Sequence, residues 1–181
     1  VGHSLGGMIV QKIVITYPNL ARACILLGTT YKFGSSNPQW QRDFINSRIR
    51  PLKNGESMKN ISFSSVKNLV ANNTSKNKIN FASKVMENIN SKAYIAAINS
   101  LLNFDLSNKL NKISIPTLLV AGDQDTLSPP KTMNKMNNEI KNSKFIIIKD
   151  CGHLINIEHS TKLNNIIDKF INEINLLNNQ G

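Results

Sequence analysis

Near the start of the chain, Gly2-His3-Ser4-Leu5-Gly6 sets a serine between two glycines at the spacing G-x-S-x-G. With a helix starting directly after it, such a serine stands on a sharp turn and projects its hydroxyl. The turn crowds its neighbours, and glycine at positions 2 and 6 is expected to relieve that crowding. It also leaves the backbone N–H of Leu5 at a helix N-terminus, free to stabilise a developing oxyanion. A serine hydroxyl is a weak nucleophile near neutral pH. It needs a base to take its proton and a carboxylate to hold that base.

Two later loops carry those residue types. One is Ala121-Gly122-Asp123-Gln124-Asp125, the other Asp150-Cys151-Gly152-His153. Each follows an apolar run, and catalytic groups of a parallel sheet gather at the carboxyl ends of its strands. Ser4, Asp125 and His153 also follow one another in the order that the G-x-S-x-G chemistry uses. Alternatives stand beside each. Ser4 could be an incidental serine in a glycine-rich turn. Asp123 follows the same strand as Asp125 and could cap the turn instead; Asp125 is preferred because the turn from Gly122 should leave the later residue reaching inward. His3 and His159 compete with His153: His3 should point away from the serine, and His159 falls near the start of a helix, at the surface. Asp150 could pair with a nearby lysine.

The elements that position these loops are readable in outline. Apolar residues at Leu5, Met8, Ile9, Ile13 and Tyr17 predict a helix packed on one side and ended by Pro18. Residues 23–27 and 116–121 are continuous apolar runs stopped by glycine, the pattern of strands buried on both faces. Phe145 to Ile148 gives a further strand. Pro129-Pro130 opens a helix reaching about Asn142. A final helix carries Leu163, Ile166, Ile167, Phe170, Ile171, Ile174 and Leu177. Strand and helix alternate, so the fold class is α/β, a mostly parallel sheet covered by helices. Residues 31–112 lack a strand-like run. Ile79, Ala82, Val85, Met86 and Ile89, then Tyr94, Ile98, Leu101 and Leu102, mark helices there, with breaks at residues 53–55 and 72–75.

The 181 residues are enough for one domain with a real core, and their net charge is +11. Residues 31–112 hold most of the excess, 13 Lys/Arg against 4 Asp/Glu. Scattered lysines among asparagines solvate a surface, and no basic cluster interleaves with aromatics, so no nucleic-acid partner is expected. No window has the length of a membrane span. Cys24 and Cys151 are too few and too far apart for a disulfide framework or a metal site, and are expected to be buried thiols in a cytoplasmic protein. No metal or other cofactor is implied.

The segments Val1-Gly2-His3-Ser4-Leu5-Gly6-Gly7-Met8, Ala121 through Asp125 to Pro129, and Cys151-Gly152-His153-Leu154 with Glu158 resemble the α/β-hydrolase fold family. The resemblance is to its lid-bearing serine hydrolases, of the 3-oxoadipate enol-lactonase-like and carboxylesterase-like kind. It implies a core of residues 1–30 and 113–181, and a helical cap over the site at 31–112. It implies Ser4 as nucleophile, Asp125 as acid, His153 as base, and hydrolysis of a small-molecule ester, lactone or other acyl substrate. Two departures stand out. Ser160 stands where relatives usually carry a proline, two residues after the glutamate matching Glu158, and can still cap a helix. The strands and His-Gly loop that relatives carry upstream of the serine, with the second oxyanion donor, are not in the sequence. The chain therefore reads as a C-terminal part of a longer protein, expected to fold poorly alone and to be nearly inactive.

Overall fold

The computed structural model describes residues 1–34 and 38–178. Four strands form one sheet in the order β1 (Gly2–His3), β2 (Cys24–Leu27), β3 (Thr117–Gly122), β4 (Ser143–Ile148), with every neighbouring pair parallel. All residues of β2 and β3 are buried. Their side chains alternate between two cores, as a period of two requires. Cys24, Leu26, Leu119 and Ala121 face α1 (Leu5–Thr16) and α6 (Pro130–Glu139), meeting Val14, Met133 and Met136. Ile25, Leu27, Leu118 and Val120 face the other way, onto Ile155 of α7 (Ile155–Glu158) and onto Leu163 and Phe170 of α8 (Ser160–Asn178). The fold is a parallel sheet flanked by helices, as the sequence pattern predicts.

Among the described residues, four α-helices lie between β2 and β3: α2 (Pro38–Lys53), α3 (Met58–Lys67), α4 (Lys76–Glu87) and α5 (Ser91–Asn99). The break expected at 53–55 begins on the last residue of α2, and that at 72–75 falls between α3 and α4. Phe33, Ile45, Ile49 and Leu101 pack with Met8 of α1, which seats this helical group against the first helix. Its base is closed by an isolated antiparallel bridge between Lys32 and Asp105, reinforced by their ion pair at 2.8 Å.

Three sequence expectations are corrected. The buried face of α1 is Gly7, Met8, Gln11 and Val14, while Ile9 and Tyr17 are exposed. The helix is apolar nearly all round, so periodicity does not select a face. What selects it is Gly7, the position at which the helix can approach Thr29. In α8, Leu163, Ile166, Ile167, Phe170 and Ile174 pack as predicted but Ile171 is exposed, and the Leu177 side chain lies outside the described residues. Ser160 is the first residue of α8 and not a flanking cap.

Candidate active site

Ser4 links β1 to α1 with φ 52° and ψ −119°, a positive φ that a residue with a Cβ rarely adopts. Surrounding bonds hold it there. Its N–H donates to the Leu27 carbonyl at 3.0 Å, and its own carbonyl accepts from Gly7 N–H at 2.9 Å and the Thr29 hydroxyl at 2.7 Å. A methyl at Gly2 would lie 2.4 Å from the Gly6 carbonyl oxygen, and one at Gly7 would lie 2.6 Å from Thr29 Cβ. A methyl at Gly6 meets nothing within 4 Å. The crowding expected at positions 2 and 6 therefore falls on 2 and 7. Leu5 opens α1, so its N–H has no acceptor one turn back.

The structure brings Ser4, His153 and Asp125 together. Ser4 Oγ lies 2.9 Å from His153 Nε2, and His153 Nδ1 lies 2.8 Å from Asp125 Oδ2. With Nδ1–H donating to the carboxylate, Nε2 is the acceptor for the serine hydroxyl. The other carboxylate oxygen, Oδ1, accepts from Leu127 N–H at 2.8 Å and Ser128 N–H at 2.9 Å. Burial works to raise the Asp125 pKa, but the His153 bond and charge and the two amides outweigh it. The net direction is downward, and the group is a carboxylate near neutral pH. Asp123 does something else: it is exposed, and its Oδ1 accepts from Cys151 N–H at 3.1 Å. That bond ties the loop after β3 to the loop bearing His153. His159 donates to the Asp150 carbonyl, and Asp150 holds φ 56°. Neither reaches the site.

His3 contacts His153. Its Nε2–H donates to the His153 carbonyl at 2.7 Å, and the two rings sit 4.9 Å apart. Burial, followed by the neighbouring His153 charge, lowers its pKa to about 4 against partial compensation from its backbone bond and Asp125. It therefore stays neutral while an unfolded histidine, titrating near 6.5, takes up a proton. The sign follows: this contribution to stability is complete above about 6.5 and is lost as pH falls toward 4, up to roughly 3 kcal/mol. In urea unfolding from pH 7 down to 4.5, His3→Asn is expected to show a flatter stability curve than the wild type. Parallel curves would show that His3 is not held neutral.

Glu158 is a residue whose part in the structure the sequence pattern does not disclose. It is 3% exposed, and its carboxylate accepts from the backbone of Ala71 (2.7 Å), Gly152 (3.0 Å) and Leu154 (3.1 Å) and from the Thr74 hydroxyl (2.8 Å). One side chain thus fastens the loop between α3 and α4 to both neighbours of His153. Glu158→Ala strands several buried donors, and a loss of about 2–5 kcal/mol in urea unfolding is expected. A loss below 1 kcal/mol would mean that these amides find other acceptors.

Two cavities open at Ser4. One, of about 610 Å³, is lined by Tyr31, Lys32, Phe33, Trp40 and Lys135 among others. The second, about 470 Å³, is lined by His3, Leu5 and His153 and by Arg48 and Tyr94, with walls from α2, α3 and α5. Phe44 and Leu101 line both. Cys24 and Cys151 are buried free thiols, and burial, followed by nearby carboxylates, pushes Cys151 up to about 12. Among the described residues no group of three His, Cys, Asp or Glu is placed to hold a metal, and no helix is long and apolar enough to cross a membrane.

The chain has relatives among known proteins. A family model described as alpha/beta hydrolase fold matches residues 1–160. The pimeloyl-[acyl-carrier protein] methyl ester esterase of Wigglesworthia glossinidia brevipalpis is 28% identical over 97% of this chain and 70% of its own length. The 3-oxoadipate enol-lactonase 1 of Acinetobacter baylyi is 33% identical over 52% of this chain and 36% of its own. Among solved structures, a thermophilic esterase from Thermogutta terrifontis superposes with a TM-score of 0.84 at 22% identity, covering 96% of this chain and 64% of that one. The chain thus spans roughly two thirds of the proteins it matches along most of its length.

Proposed function

The chain belongs to the alpha/beta hydrolase fold family, and from that premise we propose that it carries the reactive centre of a serine hydrolase acting on carboxylic esters or lactones. The observation that carries this is the chain of contacts from Ser4 Oγ to His153 Nε2 and from His153 Nδ1 to Asp125 Oδ2, at 2.9 and 2.8 Å. In this reading Ser4 Oγ attacks the substrate carbonyl as His153 Nε2 takes its proton. The tetrahedral oxyanion is met by the Leu5 N–H at the start of α1. His153 then returns the proton to the leaving alcohol, giving an acyl-enzyme. Water repeats the sequence with the same base and frees the acid. Asp125 fixes the imidazole tautomer and stabilises its cation throughout.

Residues 31–112 act as a lid in this proposal, since their helices supply walls of both cavities that meet at the serine. The methyl ester named for the Wigglesworthia esterase falls within the proposed substrate class. The test is a fluorophosphonate probe on the intact protein, followed by mass mapping. Modification at Ser4, absent in Ser4→Ala, is expected; an unmodified Ser4 in folded protein would end the serine hydrolase reading.

A further inference from the structure

We propose that the cavity between α2, α3 and α5 is an anion subsite, in which Arg48 binds a carboxylate carried by the non-reacting end of the substrate. This rests on the hydrolase reading above and adds the class of molecule that the site selects. Ser4, Leu5 and His153 line the same cavity as Arg48 and Tyr94, so a ligand filling it can touch both groups.

Arg48 is half-buried on α2, and no carboxylate among the described residues lies within ion-pair distance of it. Its recorded bonds are long and come from one nitrogen: Nη1 to the Phe44 carbonyl at 3.5 Å and to Ser47 Oγ at 3.4 Å. A guanidinium has five N–H donors, and a desolvated cation without a counter-ion is costly. An anionic ligand removes that cost.

The orientation suits such a ligand. The guanidinium carbon sits 3.6 Å from the Phe44 ring centroid, so one face of the group is covered by the aromatic ring. Stacking leaves the in-plane N–H edge available, the edge that meets a carboxylate through two parallel bonds. Phe44 is itself fixed, edge-on to Phe33 at 5.2 Å and 5.2 Å from Trp40. Burial lowers the Arg48 pKa while Tyr94 opposes that shift, and burial raises the Tyr94 pKa while Arg48 opposes it. The phenol is therefore a neutral neighbour with a hydroxyl to offer the same anion.

The experiment compares kcat/KM for monomethyl and dimethyl esters of linear dicarboxylic acids of increasing length. A parallel arm uses acetate esters of hydroxy acids, which carry the anion in the leaving alcohol. In the wild type the anionic ester of one length is expected to exceed its neutral partner by about 10–100-fold, mainly through KM. Arg48→Gln should collapse that ratio toward one, and Arg48→Lys should keep part of it. The arm showing the preference tells whether the cavity receives the acyl or the alcohol portion. A wild-type ratio near one in both arms, or a ratio that Arg48→Gln leaves unchanged, overturns the subsite. If Ser4 is labelled and the ratio is flat, only the subsite fails. If no ester is turned over and Ser4 is not labelled in the intact protein, the hydrolase reading fails. Without turnover, calorimetry of half-ester binding to Ser4→Ala with and without Arg48→Gln decides the subsite alone: equal affinities overturn it, and Arg48-dependent binding sustains it.

Discussion

Ser4→Ala is expected to lower kcat for any ester substrate by about a millionfold, the scale on which loss of the nucleophile acts when the remaining groups work only through it. The comparison requires that the variant stays folded, and the structure gives reason to expect this. The strained backbone of Ser4 is maintained by main-chain bonds from Ser4 N–H to Leu27 and from Gly7 to the Ser4 carbonyl, with Thr29 adding a side-chain bond. None of them uses the serine hydroxyl. Alanine also bears the same Cβ as serine, so the positive φ costs no more after the change. What is lost is one partly buried bond to His153, worth about 1 kcal/mol. Circular dichroism and thermal unfolding should therefore nearly overlay those of the wild type while turnover disappears. A folded Ser4→Ala protein retaining more than a few per cent of its activity would move the nucleophile elsewhere.

The contacts that make this prediction possible were unevenly visible in the sequence. Ser4 sits in a motif whose glycines report a local turn, and residues 116–121 and 145–148 announce strands through apolar runs, which places the loops bearing Asp125 and His153 at strand ends. The same local logic favours Asp125 over Asp123, and of the two carboxylates one contacts His153 and the other the Cys151 amide. Less legible was anything that depends on which surfaces meet. The face of α1 could not be read because the helix is apolar on several sides; the close approach of Gly7 to Thr29, more than twenty residues away in sequence, decides it. Glu158 joins Ala71 and Thr74 to Gly152 and Leu154, and no spacing rule connects those positions. Arg48 reads as one more surface cation until Phe44 is seen beneath it. Local strain leaves a signature in composition; long-range contact leaves almost none.

The division between the two carboxylates yields the second large effect. In Asp125→Asn the side-chain oxygen can still accept from Leu127 and Ser128, so the loop is expected to keep its shape. The amide nitrogen then faces His153 Nδ1 and donates to it, which forces the ring proton onto Nε2. In that tautomer Nε2 cannot accept the Ser4 proton, and the 2.9 Å contact becomes unproductive. A fall in kcat of about 10⁴-fold is expected, with little change in KM, because Asp125 lines neither cavity and the imidazole keeps its place. Asp123→Asn is the matched control. An asparagine oxygen accepts from Cys151 N–H as the carboxylate does, the side chain is exposed, and a loss below about threefold is expected. Measuring both under one assay separates a charge needed by the imidazole from a bond needed only by the loop. Equal losses, or the larger loss at position 123, would mean that the carboxylate seen 2.8 Å from His153 is not the one that orients it during turnover.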